Sequence, residues 1–398
     1  MTLVAKTVAT LAAAALALAG CGNADEANKS AGDESGPIKI GVIVPLSGAA
    51  GPNGKHVLAA IEAQADLLND EGGVDGRKLE VVSRDDKSEP AAGVSAATDL
   101  VNEGVDVVMG GWNSPVTLAI QPILVRSDVM NITTIPQNAS ILGGADDAAV
   151  RMNAGNAVGG YVAAKFLTEE LDASNIAMML ENDAYGEDAG KYLEKNLPDD
   201  ASIATTQKFE YTDTDFRVAL SSVKSSDPDA IFTANAAESS GQPALMKQIS
   251  QAQLDVPYFA ALGTVSQNVI DLAGPGANGS HSADLYFAEA KPWAGTEQND
   301  QFIKAFGEKT GGDMPDKYSA LGAMSVQVWA EAVENAGTTA RKDVAAAIHG
   351  QEFDDTLLGS VRFTDEGQMV APIYGFEVED QKVKVLDEIE VPDEVWQQ

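Results

Sequence analysis

The feature that most restricts how this chain can fold is an alternation of β-branched runs with helical stretches. Residues 38–44 read Ile-Lys-Ile-Gly-Val-Ile-Val and predict a buried strand. A helix then ends at Gly72, a strand follows at 78–84, a helix runs over 90–104, and a third strand lies at 105–109. The order β-α-β-α-β predicts a parallel sheet with helices on both faces.

The same alternation starts again near Tyr161. An apolar helix leads into four predicted strands, at 175–180, 203–209, 230–234 and 257–261, with a helix after Gly186. The chain then becomes helical at 299–310 and 318–336, before strands near Val361, Tyr374 and Val383. A body of about 360 residues exceeds what one core usually serves. We therefore predict two α/β lobes, with the C-terminal strands completing the two sheets.

The N-terminus carries an export signal. Lys6 precedes an apolar run at 8–19, which ends just before Cys21 and is shorter than the ~20 residues of a membrane-spanning helix. We predict a lipoprotein signal peptide at 1–20, a lipid on Cys21 and a flexible tether at 21–37. An ordinary signal peptide that happens to contain a cysteine is the alternative. Because Cys21 is the only cysteine, intramolecular disulfides are excluded.

Composition excludes several classes of partner. A formal net charge of −34 argues against nucleic acid, because phosphate contacts need clustered Lys and Arg. It also disfavours electrostatic binding to an anionic bilayer, which leaves the lipid as the membrane attachment. The three histidines, His56, His281 and His349, are far apart and no cysteine pair exists, so we predict no metal and no cofactor. We interpret the pair Asp85-Asp86 as part of a solvated loop.

One glycine motif matches a nucleotide-binding pattern by its letters alone. Residues 274–279 read Gly-Pro-Gly-Ala-Asn-Gly, but the dinucleotide fingerprint needs a strand before the first glycine and a helix at the last. Here a helix end precedes the motif and a strand at 280–287 follows it. We predict a glycine-rich turn.

A segment at the carboxyl end of a predicted strand is the first candidate binding site. Residues 110–115 read Gly-Gly-Trp-Asn-Ser-Pro, and ligands bind α/β sheets at such ends. Ser114 is a good N-cap and Pro115 suits a first helical turn, and a helix start with free N–H groups is also an anion site. Trp112 is either a core residue or a wall facing the ligand.

The corresponding strand-to-helix corner of the second lobe contains Tyr185. The segment 182–186 reads Asn-Asp-Ala-Tyr-Gly, and the tyrosine offers a ring face and a hydroxyl to a ligand. A solvent-exposed loop tyrosine is the alternative.

Taken in order, several segments resemble the leucine/isoleucine/valine-binding protein family of type I periplasmic binding proteins. The matching segments lie at 38–48 (IKIGVIVPLSG), 68–77 (LNDEGGVDGR), 182–186 (NDAYG), 213–216 (DTDF) and 228–231 (PDAI). They span almost all of the chain after the tether, and their order and spacing carry the resemblance.

The resemblance implies an α/β fold of two Rossmann-like lobes joined by three crossovers, with a ligand cleft between them. Lobe I would comprise 38–155 and 288–355, and lobe II 156–287 and 356–392. It also implies a monomeric, non-enzymatic, extracytoplasmic component of an ABC importer that binds a small amino acid or amino-acid-like carboxylate by hinge closure. The implied partners are the small-molecule ligand and the ABC permease subunits.

The resemblance also implies roles for particular residues. Ser114, with Trp112 and Asn113 beside it, looks like the hydroxyl that holds the ligand carboxylate, and Tyr185 looks like the aromatic residue that covers the ligand. Further ligand-binding positions are Gln137 and Asn138, in a loop that resembles the segment binding ligand carboxylate and ammonium, and Thr264 and Asn53.

Departures from the family pattern concern the ligand. The segment 261–264 reads Ala-Leu-Gly-Thr, where amino-acid binders usually place a glutamate for the ammonium, and a buried ammonium needs a paired carboxylate. Asn53 stands where an aromatic wall residue is common, so Trp112 would compensate from across the pocket. The family's cysteine pair is replaced by Lys87 and Asn113.

Other functions stay open at this point. The missing acid favours an aromatic acid, an amide or a urea-like solute on the same fold. An extracellular hydrolase would need a nucleophile and a base, and no such signature is present. A ligand-sensing domain is a further alternative, but no helix-turn-helix or signalling segment accompanies the lobes.

Overall fold

The first alternation forms a five-stranded parallel sheet in the computed structural model, which describes residues 36–143 and 148–398. The strands are β1 (Ile38–Val44), β2 (Leu79–Asp85), β3 (Val107–Gly110), β4 (Met130–Thr133) and β5 (Ala149–Arg151), in the spatial order β2-β1-β3-β4-β5. The helices are α1 (Gly51–Glu71), α2 (Pro90–Glu103), α3 (Ser114–Arg126) and α4 (Ser140–Gly143). The predicted signal peptide, the lipidation at Cys21 and most of the predicted tether lie outside the described residues.

Both faces of this sheet are buried, as the β-branched sequence of β1 predicts. Ile40 and Val42 face the core that contains Val57 of α1. Ile43, whose side chain points the other way, joins a second core with α2 and α3. Helices on both faces therefore leave the carboxyl edge of the sheet as the accessible one.

The second alternation forms another parallel sheet. Its strands are β6 (Asn175–Glu181), β7 (Ser202–Phe209), β8 (Ala230–Ala234), β9 (Tyr258–Ala260) and β10 (Ser280–Asp284). Its helices are α5 (Asn156–Lys165), which continues into a π-helical turn at Phe166–Glu170, α6 (Ala184–Asn196), α7 (Arg217–Ser225), α8 (Gly241–Gln251) and α9 (Gln267–Ala273). The motif at 274–279 is a turn, as predicted, because a 3-10 segment at Gly274–Ala277 links α9 to β10.

The C-terminal part of the chain packs beside the first sheet, extends the second sheet and forms a third sheet of its own. Its elements are α10 (Glu297–Thr310), α11 (Lys317–Ala336), α12 (Arg341–Ile348), β11 (Glu352–Thr356), β12 (Gly359–Phe363), β13 (Met369–Val370), β14 (Tyr374–Glu379), β15 (Lys382–Glu388) and α13 (Asp393–Trp396). Helices α10 and α11 pack on α1 beside the first sheet. Strands β14 and β15 extend the second sheet antiparallel, in the order β15-β14-β10-β9-β8-β6-β7.

One expectation about these strands is wrong. Strands β11, β12 and β13 do not complete either sheet but form a separate antiparallel sheet of three strands. An isolated bridge between Arg151 and Gln368 links this segment to the first sheet. The reason is that β11 and β12 bury one side only, through residues such as Phe353 and Val361, and expose the other.

The chain passes three times between the two halves: after β5, after β10 and again before β14. The predicted fold class, two α/β lobes with three crossovers, is confirmed. Across the described residues, no helix combines the length and the apolar character that crossing a membrane requires. The solvated-loop interpretation is wrong for Asp86, whose side chain is buried and accepts a hydrogen bond from the Ser88 N–H group.

Candidate functional site

A cavity lies between the two halves, where the carboxyl ends of both parallel sheets meet. The first half contributes Trp112, Asn113, Ser114, Ile135, Pro136 and Gln137, the second half contributes Glu181, Asp183, Tyr185, Ala236, Glu238 and Thr264, and α11 contributes Tyr318.

The N-terminus of α3 lines the cavity from the side of the first half. The helix begins at Ser114 and its cap is Asn113, so Ser114 is not the N-cap that we predicted. The Ser114 Oγ atom instead accepts a hydrogen bond of 3.4 Å from the Asn138 N–H group. Because a helix N-terminus carries partial positive charge, this end favours a carboxylate.

Three buried polar atoms around the cavity have no hydrogen-bond partner among the described residues. They are Trp112 Nε1, Asn113 Oδ1 and the Tyr185 hydroxyl. These atoms are a donor, an acceptor and a group that can do both. Since buried polar groups are normally satisfied, the three atoms indicate where a bound solute would make hydrogen bonds.

Glu238 also lines the cavity, just beyond β8. The side chain is 2% exposed, and its Oε2 atom accepts hydrogen bonds from Ser266 Oγ at 3.1 Å and Asn53 Nδ2 at 3.3 Å. Its Oε1 atom accepts a hydrogen bond from the Tyr318 hydroxyl. Burial raises the pKa of Glu238 to about 8, against the opposing effect of the Tyr318 hydrogen bond.

Glu181 is a second buried carboxyl, at the last position of β6. It is 1% exposed, and its Oε2 atom accepts a hydrogen bond of 3.0 Å from the Ala236 N–H group. Burial raises the pKa of Glu181 to about 9, and the negative charge of nearby Asp183 raises it further. Both glutamates therefore hold protons at neutral pH in the empty protein.

The lysine beside these carboxyls, Lys317, makes its polar contacts with other residues. Lys317 Nζ lies 3.8 Å from Asp284 Oδ1 and donates to the Gly263 carbonyl at 3.5 Å. Its side chain is buried behind Tyr318, with Nζ 4.3 Å from the centre of that ring. Among the described residues that line the cavity, three are acidic and none is basic.

The structure brings most of the predicted ligand-binding residues together. Those that line the cavity are Trp112, Asn113, Ser114, Gln137, Tyr185 and Thr264. Tyr185 is 6% exposed, so it is not a solvent-exposed loop residue, and Trp112 faces the cavity while packing on Tyr318 at 4.8 Å between ring centres.

The two remaining predicted residues lie behind the lining. Asn138 Nδ2 donates to the Ala184 carbonyl at 2.7 Å, and Asn53 contacts Glu238 from the first turn of α1. Both tie the first half of the chain to the second.

Sequence reasoning missed Glu181, Glu238 and Tyr318. The segment 261–264 contains no acid, but the loop after β8 and the end of β6 supply buried carboxyls instead. The rule that pointed to 110–115, the carboxyl edge of a parallel sheet, also applies to Glu181 and Glu238. No comparable signal marks Tyr318, which lies in the first turn of a long, mostly buried helix.

A cavity lined by polar side chains from two α/β halves is the arrangement of a two-lobed binding protein. Residues 37–382 match the family model described as periplasmic binding protein, so the chain belongs to the periplasmic binding protein family. The resemblance drawn from the sequence is confirmed. This family consists of extracytoplasmic binding proteins of transporters and not of enzymes.

Relatives and solved structures agree with this assignment. The chain is 27% identical over 334 residues to the leucine-, isoleucine-, valine-, threonine-, and alanine-binding protein of Pseudomonas aeruginosa, covering 83% of this chain and 87% of that one. The isoleucine complex of LivJ, a branched-chain amino acid transporter substrate binding protein from Streptococcus pneumoniae, has a TM-score of 0.79 at 22% identity and covers 89% of this chain and 99% of that one. A solute binding protein from R. palustris in complex with benzoate has a TM-score of 0.78 at 21% identity, covering 89% and 96%.

Proposed function

We propose that this protein is the solute-binding component of an ABC importer and that its ligand is a small amino acid or an amino-acid-like carboxylate. One observation carries the proposal: the cavity is lined both by the N-terminus of α3, with Ser114, from the first half and by the buried carboxyls of Glu181 and Glu238 from the second. The helix N-terminus suits a carboxylate, and the two glutamates suit an ammonium group. A zwitterion carries both of these groups.

Hinge closure is supported by the polar contacts between the halves. The Asn53 side chain bonds to both Glu238 and Ser239, at 3.3 and 2.9 Å, and Gln137 Nε2 donates to the Leu262 carbonyl at 3.0 Å. A ligand that contacts both halves favours the closed state over the open one by its difference in affinity for the two. The permease subunits would then recognise the closed form.

A second candidate is a neutral or aromatic solute, such as an amide, a urea-like molecule or an aromatic acid. The observation that favours it is the state of the carboxyls, because protonated Glu181 and Glu238 can each donate a hydrogen bond as well as accept one. The Trp112 ring offers a flat wall, and the R. palustris relative was solved with benzoate. An anionic ring acid is disfavoured by three acidic residues in the lining.

The remaining assignments extend this proposal. The protein would act without catalysis, as a monomer held to the membrane by a lipid on Cys21. Lobe I would comprise 38–155 with 288–355, and lobe II 156–287 with 356–392. Replacement of Cys21 by Ser should move the protein from the membrane fraction to the soluble fraction, and continued membrane retention would contradict the lipid anchor.

Calorimetric titration of the purified protein tests the ligand class. We expect heat from at least one amino acid, and heat from none of the panel would remove the assignment. Benzoate, acetamide and urea test the second candidate in the same experiment. Ser114→Ala should weaken binding about tenfold, whereas Ser222→Ala, on the exposed face of α7, should not.

A further inference from the structure

The cavity lining contains three acidic side chains, more than one ammonium group can pair with. Glu181, Asp183 and Glu238 line the cavity, and no Lys or Arg among the described residues does. Asp183 is used within its own helix, where its Oδ1 atom accepts hydrogen bonds from the N–H groups of Tyr185 and Gly186. Glu181 and Glu238 are left facing the ligand space.

These two carboxyls occupy separate positions. Glu238 is held by Asn53, Ser266 and Tyr318, all neutral donors on other elements. Glu181 accepts a hydrogen bond from the Ala236 N–H group at 3.0 Å and shares a side-chain hydrogen bond with Asp183. Because each carboxyl has its own set of partners, the two do not act as one shared site.

Within 36–143 and 148–398, no cation forms an ion pair with either carboxyl. Lys317, the nearest base, is 3.8 Å from Asp284 and lies behind the Tyr318 ring. A buried carboxylate is costly unless it is paired with a positive charge. Protonation removes this cost in the empty protein, and a cationic nitrogen at each position would remove it in the complex.

Independent observations point to a ligand in this space. Trp112 Nε1 and the Tyr185 hydroxyl are at least nine-tenths buried, line the cavity and lack partners among the described residues. The rings of Trp112 and Tyr318 also line it, 4.8 Å apart between centres, and such faces attract cations. No group of three His, Cys, Asp or Glu side chains in the described residues is placed to hold a metal ion.

We propose that the preferred ligand carries two positively charged nitrogens, one beside Glu181 and one beside Glu238, in addition to a carboxylate at Ser114. This inference rests on the proposed amino-acid-binding function and narrows it to amino acids with a basic side chain. An amino acid with an uncharged side chain has one ammonium group, which pairs with one of the two carboxylates, and the other glutamate stays protonated. A basic amino acid pairs with both.

The test is calorimetric titration of the full-length protein with lysine, ornithine, arginine and leucine. We expect at least one basic amino acid to bind at least tenfold more tightly than leucine. Glu181→Gln and Glu238→Gln should each weaken binding of that basic amino acid at least tenfold, whereas leucine binding should respond to only one of them. Glu187→Gln, an exposed acid of α6 that pairs with Lys208 at 2.7 Å, is the matched control and should change neither.

The outcomes separate the two proposals. Leucine binding as tightly as every basic amino acid overturns the inference and leaves the proposed function standing. Basic amino acids that depend on only one of the two glutamates also overturn it. Failure of every amino acid to bind removes the proposed function itself. If a variant does not fold, as judged by thermal melting, the comparison of ligands on the unmodified protein still decides.

Discussion

Asn53 and Glu238 are separated by 185 positions in the sequence and joined by a hydrogen bond of 3.3 Å between Asn53 Nδ2 and Glu238 Oε2. The first residue belongs to the first turn of α1 and the second to the loop after β8. This contact connects the two halves directly beside the cavity, at a carboxyl that faces the ligand space. Glu238 therefore takes part both in the contact between the halves and in the lining of the ligand space.

The Asn53 contact should contribute to affinity. Asn53→Ala removes hydrogen bonds to Glu238 and Ser239 and leaves the closed state less favoured, so we expect the dissociation constant of the bound amino acid to rise about five- to tenfold. Asn196→Ala, which removes a hydrogen bond confined to α6, is the control and should leave it unchanged. Calorimetric titration measures both variants, and equal affinities would contradict a role for Asn53 in closure.

The Trp112 indole N–H group should donate to the ligand. Trp112→Phe keeps a ring against Tyr318 but removes the buried unpartnered Nε1 donor. We expect the affinity for the bound amino acid to fall about tenfold, the size of one hydrogen bond to a charged group. Trp396→Phe, in the C-terminal helix α13, should bind normally. Normal binding by Trp112→Phe would show that the indole acts through packing alone.

Gly263 should be required for the position of Lys317. Its φ is +77°, and a Cβ atom there would lie 1.6 Å from Lys317 Nζ. Gly263→Ala should therefore displace the lysine from Asp284 and lower the free energy of unfolding by about 3 kcal/mol. Gly279→Ala is matched in backbone conformation, at φ +78°, but has no atom within 4 Å of the new Cβ, and should cost about 1 kcal/mol. Equal losses in chemical denaturation would contradict the steric argument.

The stability of the empty protein should depend on pH through Glu181 and Glu238. Both pKa values are raised from 4.5, to about 9 and about 8, so the folded protein keeps protons that the unfolded chain has lost. The resulting stabilisation is fully present below pH 4.5. It is lost progressively as the pH rises from 4.5 to about 8 for Glu238 and to about 9 for Glu181, by about 1.4 kcal/mol per pH unit for each carboxyl. The melting temperature should accordingly fall between pH 6 and pH 9.

The other groups that titrate around these carboxyls are common to all variants. They are Asp183, Tyr185, Glu210, Tyr211, Asp316, Lys317 and Tyr318. Glu181→Gln and Glu238→Gln should each flatten the decline of the melting temperature relative to the unmodified protein. Identical slopes in all three proteins would show that the two glutamates are already ionised when the protein is empty.

Much of the fold could be predicted from local sequence, because alternating β-branched and helical segments determine a parallel sheet. Strands β1 and β8 begin and end at the predicted residues, and Gly104 ends α2 in a left-handed conformation, as a C-cap glycine does. The short strands β11 to β13 were misassigned, since their pairing depends on one another and not on the sheets.

The acidic end of the site was harder to predict. The chain contains 60 acidic residues, so nothing in composition distinguishes Glu238 from a solvated glutamate. Glu238 is distinguished by its burial against Asn53 of α1 and Tyr318 of α11, which are both distant from it in the sequence. Ser114 and Tyr185 were predictable because each lies at a local strand-to-helix corner.

The three passages of the chain between the halves have a consequence for handling the protein. A protease that cuts one of these connections leaves two others intact, so the halves stay attached. The remaining connections also keep the cut ends close and limit the relative orientations that the two bodies can adopt. A singly nicked sample should therefore run as two bands under denaturing conditions and as one species in size-exclusion chromatography.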